Sequence, residues 1–233
     1  MRTHELVLAR IEGDVAAGRL RLGERLPGER VLAEQLGVSR PSVREAIRVL
    51  EALGVIRTAT GSGPEAGAVL IADPAAGLGA ALRLHVATTG VPVRDVVQLR
   101  LLVESWGVRE AAVRTGARAD GEVLRRTAAL LDAMDDPGLA PDRFLDLDGD
   151  FHAALVGLAG NVLVTAVMTS LRGAVRDYIG AGARRLTDWP GVARRLRAEH
   201  RRIHAAVCEG RADDAEREVR AHIEGYYRDS GVE

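Results

Sequence analysis

The chain contains no lysine: all 32 of its basic residues are arginine. Arg, Ala and Gly have GC-rich codons, so the absence reads as genomic bias, and it weakens any argument built on a single arginine. There is one cysteine, Cys208, which excludes an internal disulfide framework. No charged-then-apolar leader opens the sequence, and no run of about 18 apolar residues occurs. The expectation is a cytoplasmic protein without a membrane span. Net charge is also lacking, since 33 acidic residues against 32 arginines leave −1. Residues 1–74 carry ten Arg and ten Asp plus Glu. A basic domain is therefore excluded, and any surface for a polyanion must be local.

What is present is ordinary for a chain that buries a core: 233 residues, 47% apolar and 28% charged. Apolar residues at Leu6, Val7, Ile11, Val15 and Ala16 have helical spacing. "GRLRLGERLPGER" breaks it, and a short helix is expected from about Glu29 to Gln35, closed by Gly37. Ser39 stands where an N-cap belongs. Val43, Ala46, Ile47, Leu50 and Leu53 then mark one face of a helix that Gly54 ends. Two β-prone runs around a Gly-rich centre in "VIRTATGSGPEAGAVLIAD" read as a hairpin.

The expected fold is mainly α. Residues 1–72 form a winged helix-turn-helix, 73–80 ("DPAAGLGA") a linker, and 81–233 an antiparallel bundle of six or seven helices. Breaks in the bundle are expected at 89–92, 135–141, 159–161, 179–190 and 209–212.

The stretch "GVSRPSVREAIRVLEALG" carries more arginine than a core helix needs. With the Val43 face turned to the core, Arg44 and Arg48 lie about 100° and 140° around the helix. Arg40 and Ser42 sit at its exposed start. Guanidinium suits the guanine O6 and N7 acceptors, and serine hydroxyls suit phosphate oxygens. A solvated face with a serine cap accounts equally well for this helix taken alone.

"LPGERVLAEQLGVSRPSVREAIRVLEALGVI" resembles the DNA-binding head of the GntR family of bacterial transcription regulators. The matching positions include Leu26, Pro27, Glu29, Arg30, Leu32, Ala33, Gly37, Val38, Ser39, Arg40, Val43, Arg44, Glu45, Ala46, Leu50 and Gly54. The resemblance implies that Arg30, Ser39, Arg40, Ser42 and Arg44 contact DNA, with the wing tip near Thr60 and Gly61 on the minor groove or backbone. Two departures stand out. Gly28 replaces the usual serine and removes a side-chain cap, and the wing "GSGPEAGAVL" is longer than the family's compact form.

The second region holds "DLDGDFHAAL", which places Asp148 and His152 on one helix face, within reach of one ion. His200 and His222 lie on separate later helices. Three imidazoles and a carboxylate suit a divalent ion with open positions, but spacing alone is weak support, since Asp148 could simply accept from His152 and scattered surface histidines are common. Residues 78–228 resemble the all-helical effector domain of the FadR-type branch of this family. The resemblance implies a divalent metal, zinc or nickel, on Asp148, His152, His200 and His222. His204 is left to packing or the surface. Arg100 is implied as the partner of an effector carboxylate, with an i,i+4 bridge to Glu104 as the rival role. Asn161 is a helix-ending turn residue first and an effector contact second.

The function expected is a ligand-responsive transcription regulator, not an enzyme. It would bind double-stranded DNA at a pseudo-palindromic operator as a homodimer, act as a repressor, and respond to a small carboxylate effector. A metal-free regulator with an acyl ligand and a metalloenzyme are the alternatives.

Overall fold

The computed structural model describes residues 3–59, 67–89, 91–117 and 121–230. It divides into two compact units, Met1–Leu78 and Gly79–Glu233. The first contains α1 (Thr3–Ala16), α2 (Glu29–Leu36), α3 (Arg40–Ala52), β1 (Ile56–Ala59) and β2 (Gly67–Leu70). The strands are antiparallel, with Ile56 opposite Leu70 and Ala59 opposite Gly67. Residues 60–66 lie outside the described residues, so the wing-tip positions Thr60 and Gly61 have no structural account.

The apolar spacing of α3 becomes packing directly. Val43, Ala46, Ile47 and Leu50 are buried against Val7, Ile11, Leu32, Ile56 and Leu70. Each fully buried aliphatic side chain of this kind contributes about 1.5–3 kcal/mol. Between α2 and α3 the turn relies on Gly37, at φ 64° and ψ 31°, a left-handed conformation that a side chain disfavours. Gly28 begins α2 with no side-chain cap. Ser39 begins α3 in extended conformation, and its Oγ accepts from the Ser42 amide at 3.2 Å. Pro41 sits in the first turn, where an amide would lack a helical partner anyway. Ser39→Ala is expected to lower unfolding stability by about 1 kcal/mol. Urea denaturation of the whole chain would show this as a lower midpoint at unchanged slope, and Ser39→Asn should restore it.

The stretch expected as a linker, 73–80, contains the boundary between the two units and is helical from Pro74. It opens α4 (Pro74–Thr89), with Pro74 at the helix start and Asp73 Oδ1 accepting from the Ala76 amide at 3.2 Å. Alanine-rich sequence after an Asp cap favours a helix more than the two glycines oppose it.

Beyond it lie α5 (Val93–Ala117), α6 (Gly121–Met134), α7 (Pro141–Gly157), α8 (Val162–Arg185), α9 (Trp189–Cys208) and α10 (Ala212–Ser230). The break expected over 179–190 shrinks to 186–188, because α8 continues through Gly180 and Gly182. There the burial of Ile179 and Ala183 outweighs the poor helix propensity of glycine. The division between α5 and α6 is one that apolar spacing alone does not mark. α5 is the central element, packed against α7, α8, α9 and α10. The core around it includes Val108, Phe144, Phe151, Leu155, Ile203 and Ile223. No helix among the described residues is long and apolar enough to cross a membrane.

Candidate metal centre and nucleic-acid interface

α7 buries a continuous face that includes Phe144, Asp148, Phe151, His152 and Leu155. Two ionisable groups are thus set into an apolar stripe, one turn apart, and face the interior of the bundle. α9 brings His200 to the same point and α10 brings His222, both buried. One ligand atom from each of Asp148, His152, His200 and His222 lies within 4.8 Å of the others. Rings hold the histidines in place: His200 lies 5.1 Å from Phe151 and 6.2 Å from Phe144, centroid to centroid.

The individual distances show how these groups are aimed. His152 Nε2 and His222 Nε2 are 3.2 Å apart. His200 Nε2 is 2.9 Å from Asp148 Oδ1, close but not aligned as a hydrogen bond. Behind the cluster, His222 Nδ1 is bonded to Glu199 Oε2 at 2.8 Å. His152 Nδ1 lies 2.8 Å from Glu104 Oε2 in an ion-pair contact that is likewise imperfectly aligned. With Nδ1 of both rings turned to a carboxylate, the proton belongs on Nδ1 and the Nε2 lone pairs face each other. Such an arrangement is repulsive unless a cation or a proton lies between them. Ligands at about 2.1 Å from one ion, 90–110° apart, stand about 3.0–3.4 Å from each other. The spacings of 3.2 and 2.9 Å suit neighbouring positions on one ion, so the donor set fits a divalent metal.

Electrostatics sort the same groups. Burial raises the Asp148 carboxyl, but the charge of His152 and the contact with His200 outweigh it and hold the group well below its usual range. Burial likewise opposes ionisation of Glu104, yet Arg100 and His152 bring it down to about 2. Burial pushes His200 down to about 4, and lowers His222 as well. His152 goes the other way: burial disfavours its charge, but Glu104 and Asp148 raise it. Arg100 is buried and held protonated by Glu104, to which its Nε donates at 2.6 Å. The expected i,i+4 partnership of Arg100 is therefore present, and Tyr227 lies beneath it at 5.9 Å from ring centroid to guanidinium.

A small cavity of about 30 Å³, open to the surface, adjoins the cluster, with Arg100, Asp148 and His152 in its lining. Asn161 is not brought there. Its Oδ1 accepts from the amides of Leu163 and Val164 at 3.1 and 3.2 Å, which caps α8 and leaves the side chain exposed. The effector contact expected of Asn161 is corrected accordingly. His204 also stays apart, with Nε2 3.0 Å from Thr127 Oγ1. Glu104 and Glu199, which orient the histidines, have no signature in the spacing of the ligands. Glu199 precedes His200 by one residue, and only the packing of α9 on α10 turns it toward His222.

In the first unit, Ser39 and Ser42 lie together at the start of α3, their hydroxyls 2.9 Å apart. Arg40 is exposed in that same turn. Arg44 makes a two-point contact with Glu29, Nε to Oε1 at 3.2 Å and Nη2 to Oε2 at 2.9 Å. The hydrogen bond from Arg44 holds the Glu29 carboxyl below its ordinary value. Glu29, 15 positions away, thus orients Arg44 across the helix-turn-helix, a role that sequence spacing does not disclose. Arg30 pairs with Glu34 at 2.7 Å on the exposed side of α2.

A helix-turn-helix followed by a two-stranded hairpin, in one chain with a separate helical unit, defines the class of a DNA-binding protein. Comparison with known proteins agrees. Residues 3–65 match the model for bacterial regulatory proteins of the gntR family, and residues 95–225 match the FCD domain. The chain belongs to the GntR family of bacterial transcription regulators and carries an FCD domain. It is 28% identical to the Glc operon transcriptional activator of Escherichia coli over 94% of this chain and 85% of that protein. It is 31% identical to the HTH-type transcriptional regulator Mce2R of Mycobacterium tuberculosis over 88% of this chain and 82% of that one. A solved GntR structure from Streptococcus agalactiae superposes with a TM-score of 0.67 at 23% identity, covering 97% of this chain and all of that one, and so shares its fold. The family and these relatives are transcription regulators, so the protein is not an enzyme.

Proposed function

We propose that the protein is a ligand-responsive regulator of the FadR-type branch, in which residues 1–72 read DNA and residues 81–233 bind effector and dimerise. Asp148, His152, His200 and His222 hold one divalent ion, zinc or nickel. The observation that carries this reading is the pair of Nε2 atoms 3.2 Å apart, backed by the Glu104 and Glu199 carboxylates. When bound, the ion supplies Lewis-acidic positions to which an effector oxygen can attach. Glu104 and Glu199 fix the imidazole orientations and keep the Nε2 lone pairs on the site. Arg100, anchored by Glu104, directs its remaining N–H groups to a small carboxylate in the adjoining cavity.

On the DNA side, Arg30, Ser39, Arg40, Ser42 and Arg44 contact a pseudo-palindromic operator, one half-site for each head of a homodimer acting in the cytoplasm. The effector changes operator affinity by binding the two arrangements of the heads unequally, and a tenfold effect needs about 1.4 kcal/mol of coupling. The proposed sign is repression.

Selection of genomic fragments on the metal-loaded protein, followed by footprinting, tests the reading. A protected two-fold sequence whose occupancy falls with a small carboxylate is the expected result. An asymmetric single half-site bound equally tightly would overturn the dimer model. Deleting the regulator is expected to raise expression from a reporter fused to the footprinted promoter.

A further inference from the structure

Three arginines, Arg100, Arg172 and Arg176, line the cavity beside the proposed metal centre together with Asp146 and Asp148, and each arginine is paired with a carboxylate. Arg100 reaches the cavity from α5 at the buried end, while Arg172 and Arg176 enter its lining from α8. Leu171 and Ile179 add apolar wall to the same lining. The α8 arginines are tethered to α7: Arg176 Nε donates to Asp146 Oδ1 at 2.8 Å, and Arg172 Nη1 donates to Asp150. The Asp150 contact uses one nitrogen of a guanidinium that offers five N–H donors. The Arg172 side chain is 33% exposed, so it stands at the opening and not in the core.

Gly149 explains how Arg172 comes to lie there. A Cβ on residue 149 would stand 2.7 Å from Arg172 Nε, 2.9 Å from its Cδ and 3.1 Å from its Cγ. The missing side chain, in the middle of α7 and next to Asp148, leaves a groove along which the arginine crosses the helix. A glycine interior to a helix is disfavoured by about 1 kcal/mol relative to alanine. The position is therefore occupied for the room it provides.

We propose that the effector is a dicarboxylate and that Arg172 determines this specificity. One carboxylate occupies the buried end, on Arg100 and the proposed metal centre. The second reaches Arg172 at the opening, with Arg176 beside it. The proposal rests on the effector reading given above and adds the ligand class and the residue that selects it.

Isothermal titration of the metal-loaded protein with acetate, propionate, malonate and succinate tests it, with metal content measured for every variant. The dicarboxylates are expected to bind at least about tenfold more tightly than the monocarboxylates, the scale of one charge-assisted pair. Arg172→Gln is expected to abolish that difference while leaving monocarboxylate affinity within about twofold. Equal affinity for both classes on the native protein, or equal weakening of both by Arg172→Gln, would overturn the proposal. If Arg172→Gln does not fold, Asp150→Asn serves instead. Removing the carboxylate that competes for Arg172 should tighten dicarboxylates more than monocarboxylates, and an equal effect on both overturns the assignment. Failure of every carboxylate to bind a metal-loaded, folded protein would instead defeat the effector reading itself.

Discussion

Dialysis against a chelator is expected to lower the thermal midpoint of the protein by about 8–16 °C. A ligand that binds only the folded state stabilises by RT ln(1 + [L]/Kd), about 4 kcal/mol when present at a thousand times its Kd. In a domain of 150–250 residues each kcal/mol moves the midpoint by about 2–4 °C. The effect should be this large because the ion would bind four buried ionisable groups at once, several of which have only poorly aligned partners. Without an ion, the Nε2 atoms of His152 and His222, 3.2 Å apart, must share a proton or oppose each other, and neither nitrogen of His200 has a well-aligned partner. Calorimetry with and without added zinc or nickel, alongside elemental analysis after dialysis without chelator, measures the effect. A midpoint that the metals leave unmoved, with a stoichiometry near zero, would sink the metal assignment.

His152→Ala is expected to abolish binding, because it removes a ligand and also leaves the Glu104 carboxylate without the imidazole it faces. Glu199→Gln should weaken binding by about 10–100-fold while leaving all four ligands in place. Metal affinity should also rise with pH, since the ligand nitrogens must be unprotonated. The proton competes chiefly at His152, which Glu104 and Asp148 raise against the effect of burial; His200, down at about 4, is already neutral at pH 7.

Arg40→Ala should produce the second large effect, on DNA. A bidentate guanidinium-to-guanine contact discriminates by about 1–3 kcal/mol. With one head on each half-site the loss doubles to about 2–6 kcal/mol, at least about thirtyfold in operator affinity. Binding to unrelated DNA should fall far less, by the one charge removed from each head. Arg30→Ala supplies the contrast. If Arg30 meets phosphate, its loss weakens all sequences alike and reduces the salt slope by about 1 for each head. Gel shifts across a salt series on operator and scrambled duplexes separate these outcomes. Equal losses on both duplexes for Arg40→Ala would remove it from base reading. Glu29→Gln, which releases Arg44 from its two-point partner, is expected to raise binding to scrambled DNA and to narrow the preference for the operator.

Much of the DNA-binding unit is legible in the order of its residues. The face of α3, its serine cap and the glycine ahead of it all act within about four residues, so local order in the chain carries them. Glu29 is not legible as the partner of Arg44, because the turn between α2 and α3 sets that contact. Asn161 shows the opposite limit. Its place after Gly160 marks a turn, and the turn consumes the side chain that the family resemblance offers to an effector. Glycine and proline content marks the stretch at 73–80, where the two units meet, and the cap that Asp73 provides accounts for its helical form.

The sequence by itself determined the two-part organisation, the apolar faces of α1 and α3 and the one-turn pairing of Asp148 with His152. These follow from periodicity and capping, which depend on neighbours along the chain. Only the tertiary structure decided that His222, 70 residues beyond His152, aims its Nε2 at the same point, that Glu104 and Glu199 stand behind the rings, and that Arg172 crosses α7 over Gly149. Those placements arise because α5 packs against α7, α8, α9 and α10 around one core. No interaction between near neighbours in the chain encodes that convergence.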